Sequence, residues 1–260
     1  MYNIAIGLQD AVNAGDVNAA AVGRRIVLPS SYVSGPRYMR QLYQDAMAIV
    51  RAFESTPDYF ITFTCNPKWP EVTAELFPNQ TAADRPDVTT RVFHIKLKEL
   101  LNDLLKKKIL GEVVAMIHVI EFQKRGLPHA HILLIMSPDH KPVQPADYDT
   151  YISAEIPDPA THPAAYETVR KSMIHGPCGA ANGNSPCMKN GVCSKGYPKP
   201  FLEITRNGPN GYPQYRRRDN GRTIRIGGRG REDFEIDNRW VVPHNLYLAA
   251  KYGAHINVES

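Results

Sequence analysis

Residues 121–131 read Glu-Phe-Gln-Lys-Arg-Gly-Leu-Pro-His-Ala-His, and the apolar run Ile-Leu-Leu-Ile-Met follows at 132–136. This run predicts a buried strand over 128–136, and residues 113–123 predict a second strand. The loop at 124–127 is short enough for an antiparallel hairpin. On a strand, residues i and i+2 face the same side, so His129 and His131 should project together while Ala130 faces away. Two adjacent imidazoles can together coordinate one divalent metal ion.

A third ligand is expected from the strand before the turn. Glu121 and Gln123 share one face of that strand and lie across the hairpin from the histidines. Gln123 is closer to the turn, whereas Glu121 is chemically the better ligand, so both stay candidates. Either oxygen with two imidazole nitrogens makes a mixed site suited to Mg²⁺ or Mn²⁺. The alternative is a hydrogen-bonded histidine pair packed beside Tyr or Asp side chains.

A second candidate site lies in a loop-rich segment at 175–201, which contains many Gly, Pro and Asn residues. Its candidate ligands are spaced His-x2-Cys-x8-Cys-x5-Cys: His175, Cys178, Cys187 and Cys193. Such a loop has little apolar surface to bury, and a tetrahedral Zn²⁺ would supply the missing stabilisation. The spacing is not a standard zinc-finger pattern, so three reduced thiols held by packing are the alternative.

The positive charge of the chain is concentrated in one segment. The net charge is +5, but residues 195–231 carry ten Lys or Arg against two acids. Such a segment suits a polyanionic partner, and nearby aromatic rings could stack on bases. A solvated basic face is the alternative. The candidate DNA-binding residues are Lys68, Arg125, Tyr215, Arg216, Arg217 and Arg218.

The bulk composition narrows the class of protein. The chain has 260 residues, of which 43% are hydrophobic and 22% are charged, as is ordinary for a globular protein. No apolar stretch is long enough to span a bilayer, and the start lacks a secretory signal. We therefore expect no membrane association and an intracellular location.

The hydrophobic periodicity predicts an α+β fold, with an antiparallel sheet flanked by helices. We expect an N-terminal helical extension at 1–58, and a second domain at 59–260 with a Cys-rich insertion at about 174–200. The expected helices are 4–12, 36–53, 87–108, 162–173 and 246–252. The expected strands are 59–65, 113–123, 128–136 and 240–242, with a further hairpin of 212–217 and 222–226 turning at Asn220-Gly221.

Several long motifs resemble those of a known family. They are Phe-Ile-Thr-Phe-Thr-Cys-Asn-Pro-Lys-Trp-Pro-Glu at 60–71, the 121–131 stretch, Met-Ile-His-Gly-Pro-Cys at 173–178, Ser-Pro-Cys-Met-Lys at 185–189 and His-Ile-Asn-Val-Glu at 255–259. Together they resemble the N-terminal, helicase-like Rep portion of Helitron transposases, and the resemblance covers nearly the whole chain.

The resemblance implies an HUH endonuclease-like fold, in which a five-stranded antiparallel sheet carries the metal-binding histidines on a central strand. It matches His129 and His131 to those histidines, and Gln123 or Glu121 to the third, polar ligand. Such domains nick single-stranded DNA for rolling-circle transposition: a tyrosine attacks the phosphodiester, forms a 5′-phosphotyrosine link and releases a free 3′-OH. In full-length relatives a helicase domain is covalently linked.

The sequence departs from the family at the nucleophile. The family's tyrosine pair follows the His-Ile-Asn-Val-Glu segment, and the printed sequence ends at Ser260. Tyr247 and Tyr252 precede that segment, and we expect them to pack a helix face. The expectation is thus a catalytically incomplete Rep fragment, nuclear in location, that binds single-stranded DNA and a divalent metal. The alternative is a non-catalytic, zinc-stabilised DNA-binding module.

Overall fold

The computed structural model describes residues 28–54, 56–123, 126–208, 211–228 and 231–260. Its internal contacts divide the chain into two units, Met1–Arg51 and Ala52–Ser260. The predicted helix at 4–12 and the candidate residue Arg125 lie outside the described residues. Among the described residues, no helix has both the length and the hydropathy that crossing a bilayer requires.

Four of the six α-helices among the described residues begin within one residue of their predicted starts, and the second and fourth in chain order were not predicted. They are α1 Pro36–Ala52, α2 Pro70–Thr73, α3 Pro86–Leu105, α4 Pro145–Tyr151, α5 Pro163–Ser172 and α6 Leu246–Tyr252. Proline occupies the first turn of several of them, where its missing N–H costs nothing. Helix α1 has no buried residue, although its sequence is strongly amphipathic.

The strands are β1 Tyr59–Thr64, β2 Val113–Phe122, β3 Pro128–Met136, β4 Met188–Lys189, β5 Val192–Cys193, β6 Arg206–Asn207, β7 Pro213–Gln214, β8 Ile224–Gly228, β9 Arg231–Ile236 and β10 Ile256–Glu259. The main sheet is antiparallel, in the order β10-β1-β3-β2. Strand β3 is therefore central. The described residues form four strands of this sheet, where the resemblance implies five.

One face of this sheet packs on α3 to form the main core. Ile61, Phe63 and Leu134 are fully buried on the sheet side. Leu100 and Leu104 are fully buried on α3, one turn apart on the same stripe. Burying each such side chain contributes roughly 1.5–3 kcal/mol. The opposite face of the sheet carries polar side chains such as Thr64 together with apolar ones such as Phe60.

Two predicted elements are wrong. Residues 212–217 do not pair with 222–226: β7 pairs with β6, and β8 pairs with β9. The backbone of Arg217 instead exchanges hydrogen bonds with Leu202, so a long-range contact overrides the local turn signal at Asn220-Gly221. The predicted strand at 240–242 is also replaced, by a 3₁₀ helix at Asn238–Trp240 and a single bridge between Val241 and Ile174.

Candidate metal centre and its surroundings

Strand β3 presents both histidines on the sheet face opposite the main core. Ala130, which lies between them, is fully buried on the core side. The ring centroids of His129 and His131 are 4.6 Å apart, with an angle of 75° between the ring planes. Alternation along a regular strand thus brings the two imidazoles together.

Glu121 completes a cluster of three potential ligands. Its Cα pairs with that of His129 across the β2–β3 ladder, and its Oε1 lies 3.3 Å from His131 Nε2. The candidate ligand atoms of Glu121, His129 and His131 all lie within 4.8 Å of one another. Gln123 lies one residue beyond the end of β2, where its N–H donates to the Leu127 carbonyl at 3.1 Å.

Thr64 fixes the orientation of His129. Its Cα pairs with that of His129 across the β1–β3 ladder, and Thr64 Oγ1 lies 2.7 Å from His129 Nδ1. A proton on Nδ1 donated to this oxygen leaves the Nε2 lone pair free for a metal, a common arrangement around metal-binding histidines. Burial is the main cause that lowers the pKa of His129, with His131 as a further cause, so the neutral form that binds metals is favoured.

His131 is held by a ring and retains an unused nitrogen. The Phe60 ring stacks on it with a centroid distance of 5.4 Å and an angle of 9° between planes. Among the described residues, its Nδ1 is a buried atom with no hydrogen-bond partner. A buried polar atom without a partner costs free energy, and a ligand would remove that cost.

A third histidine lies on the same face of the sheet. His255 precedes β10, and its carbonyl accepts a hydrogen bond from Thr64 N–H at 3.0 Å. Its ring Nδ1 lies 2.8 Å from the Ser172 carbonyl oxygen. The charge of His255 contributes to the lowered pKa of His129. The sequence motifs contain this residue, but only the β1–β10 pairing brings it near the metal-site candidates.

The cysteine segment brings its four predicted ligands together. The ligand atoms of His175, Cys178, Cys187 and Cys193 all lie within 4.8 Å of one another. The Cys193 Sγ and His175 Nε2 atoms are 3.5 Å apart. Cys178 and Cys193 are buried, and all the cysteines are free thiols. Three thiols and one imidazole are a donor set that suits tetrahedral Zn²⁺.

The predicted basic residues are mostly engaged inside the protein. Arg217 is buried, and its Nη1 donates to the carbonyls of Asn238 and Val241 at 2.7 and 2.6 Å. Arg218 donates to both carboxylate oxygens of Glu155, at 2.9 and 2.7 Å. These guanidinium groups support the fold, and we leave them out of the DNA-binding surface proposed below.

The remaining predicted DNA contacts differ in exposure. Arg216 Nη1 lies 3.4 Å from Asp149 Oδ2, so an acid already neutralises it. Tyr215 is buried, and its hydroxyl oxygen accepts a hydrogen bond from Ser260 N–H at 2.8 Å. Lys68 is exposed. Trp69 next to it is buried and donates from Nε1 to the Tyr252 carbonyl at 2.7 Å, which makes it a core anchor.

Tyr247 and Tyr252 both lie on α6. Tyr252 is buried, and its hydroxyl donates to Asp103 at 2.7 Å. Burial, with Asp103 as a further cause, raises the pKa of Tyr252 far above its ordinary value. Tyr247 is 46% exposed, and its ring lies 5.8 Å from the Lys251 ammonium.

An antiparallel sheet that presents a His-x-His pair beside a glutamate defines an α+β protein with a candidate metal centre. The comparison with known families assigns it further: the family described as "Helitron helicase-like domain at N-terminus" matches residues 3–134. This match spans just over half of the chain, and the chain belongs to that family. It includes β1, β2 and β3 up to residue 134, and therefore Glu121 and both histidines, whereas the cysteine cluster and β10 lie beyond it. No curated protein matches the chain.

Proposed function

We propose that this protein is a Helitron Rep-related domain that binds a divalent cation, Mg²⁺ or Mn²⁺, and single-stranded DNA on the histidine face of its sheet. The observation that carries the proposal is the convergence of Glu121, His129 and His131 on the polar face of a Helitron-family sheet. The mixed oxygen and nitrogen donors suit such cations.

The donor set gives each residue a separate task. A bound cation would supply Lewis acidity toward a phosphoryl oxygen. His129 and His131 would supply neutral nitrogens, and Glu121 would supply negative charge. Thr64 would hold His129 in the tautomer that leaves Nε2 free. Phe60, which is 38% exposed, adds an accessible ring beside His131 on which a base could stack.

We further propose that these 260 residues bind DNA without cleaving it covalently. Covalent nicking needs an activated tyrosine, as the resemblance implies. Burial raises the pKa of Tyr59 and Tyr215 well above the ordinary value, and Tyr252 is engaged with Asp103. Hydroxyl groups held in this way are poor nucleophiles.

We also propose that the cysteine cluster binds a structural Zn²⁺ ion through His175, Cys178, Cys187 and Cys193. The cluster lies in a segment whose regular structure is limited to short pieces such as β4 and β5. Elemental analysis of the purified protein should find about one zinc atom per chain, retained in Cys65→Ala and lost in Cys178→Ser. Protein free of zinc would contradict this part of the proposal.

The central test compares histidines on the two faces of one sheet. His118 is exposed on β2 and pairs with Ile132, so it shares a face with the core rather than with His129. Calorimetric titration with Mn²⁺ should show binding by the unmodified protein and by His118→Ala, and at least tenfold weaker binding by His129→Ala and His131→Ala. Equal Mn²⁺ affinity in all four proteins would contradict the proposed metal site.

A second experiment tests for DNA binding and covalent cleavage with a labelled single-stranded oligonucleotide and Mn²⁺. We expect complex formation by fluorescence anisotropy and no covalent adduct on a denaturing gel. A covalent adduct would show that a tyrosine of this chain is a nucleophile after all, and would contradict this part of the proposal.

The alternative function is a non-catalytic DNA-binding module stabilised by zinc. The compact Cys/His cluster is the observation that favours it. In that case DNA binding would survive His129→Ala and His131→Ala but would be lost in Cys178→Ser. For both functions we propose a nuclear location, which imaging of the tagged protein in cells would test.

A further inference from the structure

A cavity opens at the outer edge of the main sheet, beside β10. Its volume is about 240 Å³. The residues that carry the argument are Tyr197, Lys199, Tyr212, Tyr215, Arg217 and Glu259. None of these is a predicted metal ligand, and only Tyr215 and Arg217 belong to the predicted DNA contacts.

The walls of the cavity are aromatic and are held by the surrounding structure. The Tyr197 ring stacks on His175 with a centroid distance of 4.2 Å and an angle of 11° between planes. Tyr215 is buried, with its hydroxyl engaged by Ser260 N–H. Tyr212 differs from both because it is 74% exposed, so its ring is free to close over a ligand. Aromatic rings in the wall of a cavity suit a planar ring system.

A cationic hydrogen-bond donor and an anionic hydrogen-bond acceptor also line the cavity. The Lys199 ammonium lies 5.2 Å from the centroid of the Tyr197 ring and donates to the Lys195 carbonyl at 2.8 Å. An ammonium has three N–H donors, so two are left for a ligand. The Glu259 carboxylate offers only acceptors. Arg217 lines the cavity, but its Nη1 donates to backbone carbonyls, and we assign it no contact with the ligand.

The cavity meets the histidine face of the sheet at Glu259. Glu259 on β10 pairs with Phe60 on β1, and the Phe60 ring stacks on His131. Residues paired across a ladder project to the same face, so Glu259, Phe60 and His131 share one side. Strand β10 is two strands from β3, a separation on the order of 10 Å. A short single strand that crosses the histidines can therefore also reach the cavity.

We propose that this cavity binds one unstacked nucleobase of the single-stranded DNA, and that it prefers bases with an exocyclic amino group over thymine. The proposal rests on the DNA-binding function proposed above and adds a base-recognition site to it. The amino group of guanine, cytosine or adenine would donate to Glu259, while Lys199 would donate to an acceptor on the same base. Thymine has no amino group to offer. The exposed Tyr212 ring would supply stacking, which does not depend on which base is bound.

The test uses a set of short oligonucleotides in which one position at a time is abasic. In the unmodified protein, one position should be more sensitive than the others, and removal of its base should weaken binding roughly tenfold. Restoring that position with guanine should give tighter binding than restoring it with thymine. Tyr212→Ala should remove this position effect, whereas Tyr212→Phe, which keeps the ring, should preserve it. Glu259→Gln should reduce the preference for guanine over thymine.

The outcomes separate this proposal from the proposed function. If the protein binds DNA but no single position stands out, or if Tyr212→Ala keeps the position effect, the base site is wrong and the DNA-binding function stands. If no oligonucleotide binds, the proposed function fails, and the cavity is then tested alone with deoxyguanosine and thymidine monophosphates by ligand-observed NMR. Saturation transfer to the guanine ring that is lost in Tyr212→Ala would support the cavity. Equal signals for both nucleotides, or none, would overturn it.

Discussion

At the scale of single residues, His244 links the stability of the fold to pH. It is fully buried, its Nδ1 lies 3.0 Å from the Val242 carbonyl oxygen, and its Nε2 has no hydrogen-bond partner among the described residues. Burial is the main cause that lowers its pKa from 6.5 to about 4. Between these two values the unfolded chain binds a proton that the folded protein excludes, so stability falls as the pH decreases.

We predict that His244 alone removes about 3 kcal/mol of unfolding free energy between pH 6.5 and pH 4. Urea unfolding at several pH values measures this loss. In His244→Asn, whose amide can still donate to Val242, the slope of stability against pH should be shallower. Parallel slopes for the two proteins would show that His244 is not the titrating group.

Thr64 supports the proposed metal centre without being a ligand itself. We predict that Thr64→Val weakens Mn²⁺ binding by about 10- to 100-fold, because His129 loses the hydrogen bond that sets its tautomer and orientation. Thr64→Ser keeps the hydroxyl and should bind nearly as tightly as the unmodified protein. Calorimetry at constant pH distinguishes them, and equal affinity of Thr64→Val and Thr64→Ser would exclude this role.

At the scale of elements, α3 is the helix on which the sheet core depends. Leu104 is fully buried, whereas Ile95 on the same helix is 65% exposed. We predict that Leu104→Ala lowers the free energy of unfolding by about 2–5 kcal/mol, because it leaves a cavity beneath the sheet. Ile95→Ala should change it by less than about 0.5 kcal/mol. Chemical denaturation followed by circular dichroism measures both, and similar losses would contradict the packing of α3.

The sequence predicts elements well where apolar residues recur with a clear period. The 128–136 strand and the 246–252 helix have the bounds of β3 and α6, and α3 starts one residue before its predicted position. Several elements that lack such a pattern were not predicted. Helix α4 has seven residues, and its start is marked only by Pro145 and a capping interaction of Gln144 with Asp147. Strand β10 has four residues and is defined by its pairing with β1, which no local pattern encodes.

In the candidate site, too, the sequence predicts contacts within one hairpin but not contacts between distant strands. Alternation within one hairpin predicts that His129, His131 and Glu121 lie together. Thr64, Phe60 and His255 could not be placed because the register of β1 against β3 and β10 joins distant parts of the chain. The burial of Arg217 could not be predicted for the same reason, because its carbonyl partners lie up to 63 residues away in sequence.

At the scale of the whole molecule, the count of 31 Lys and Arg residues overstates how much positive charge is free to meet DNA. Arg218 pairs with Glu155, Arg239 pairs with Asp237, and Lys251 pairs with Asp103. Such pairs already neutralise part of the basic surface. Phosphate contacts should therefore come from cations such as Lys68, which is exposed and has no ion pair among the described residues.

Salt dependence tests this distribution of charge. Each phosphate contact to a single strand contributes about 0.7 to the slope of log K against log salt, because it releases condensed counterions. We predict that Lys68→Ala reduces the slope for single-stranded DNA by about that amount without a change in stability. Arg218→Gln should leave the slope unchanged but destabilise the fold, because the largely buried Glu155 carboxylate loses both guanidinium hydrogen bonds. Anisotropy titrations at several salt concentrations, paired with urea unfolding of each variant, measure both effects. If Arg218→Gln lowers the slope as much as Lys68→Ala does, Arg218 contacts DNA directly, and its assignment to a purely structural role is wrong.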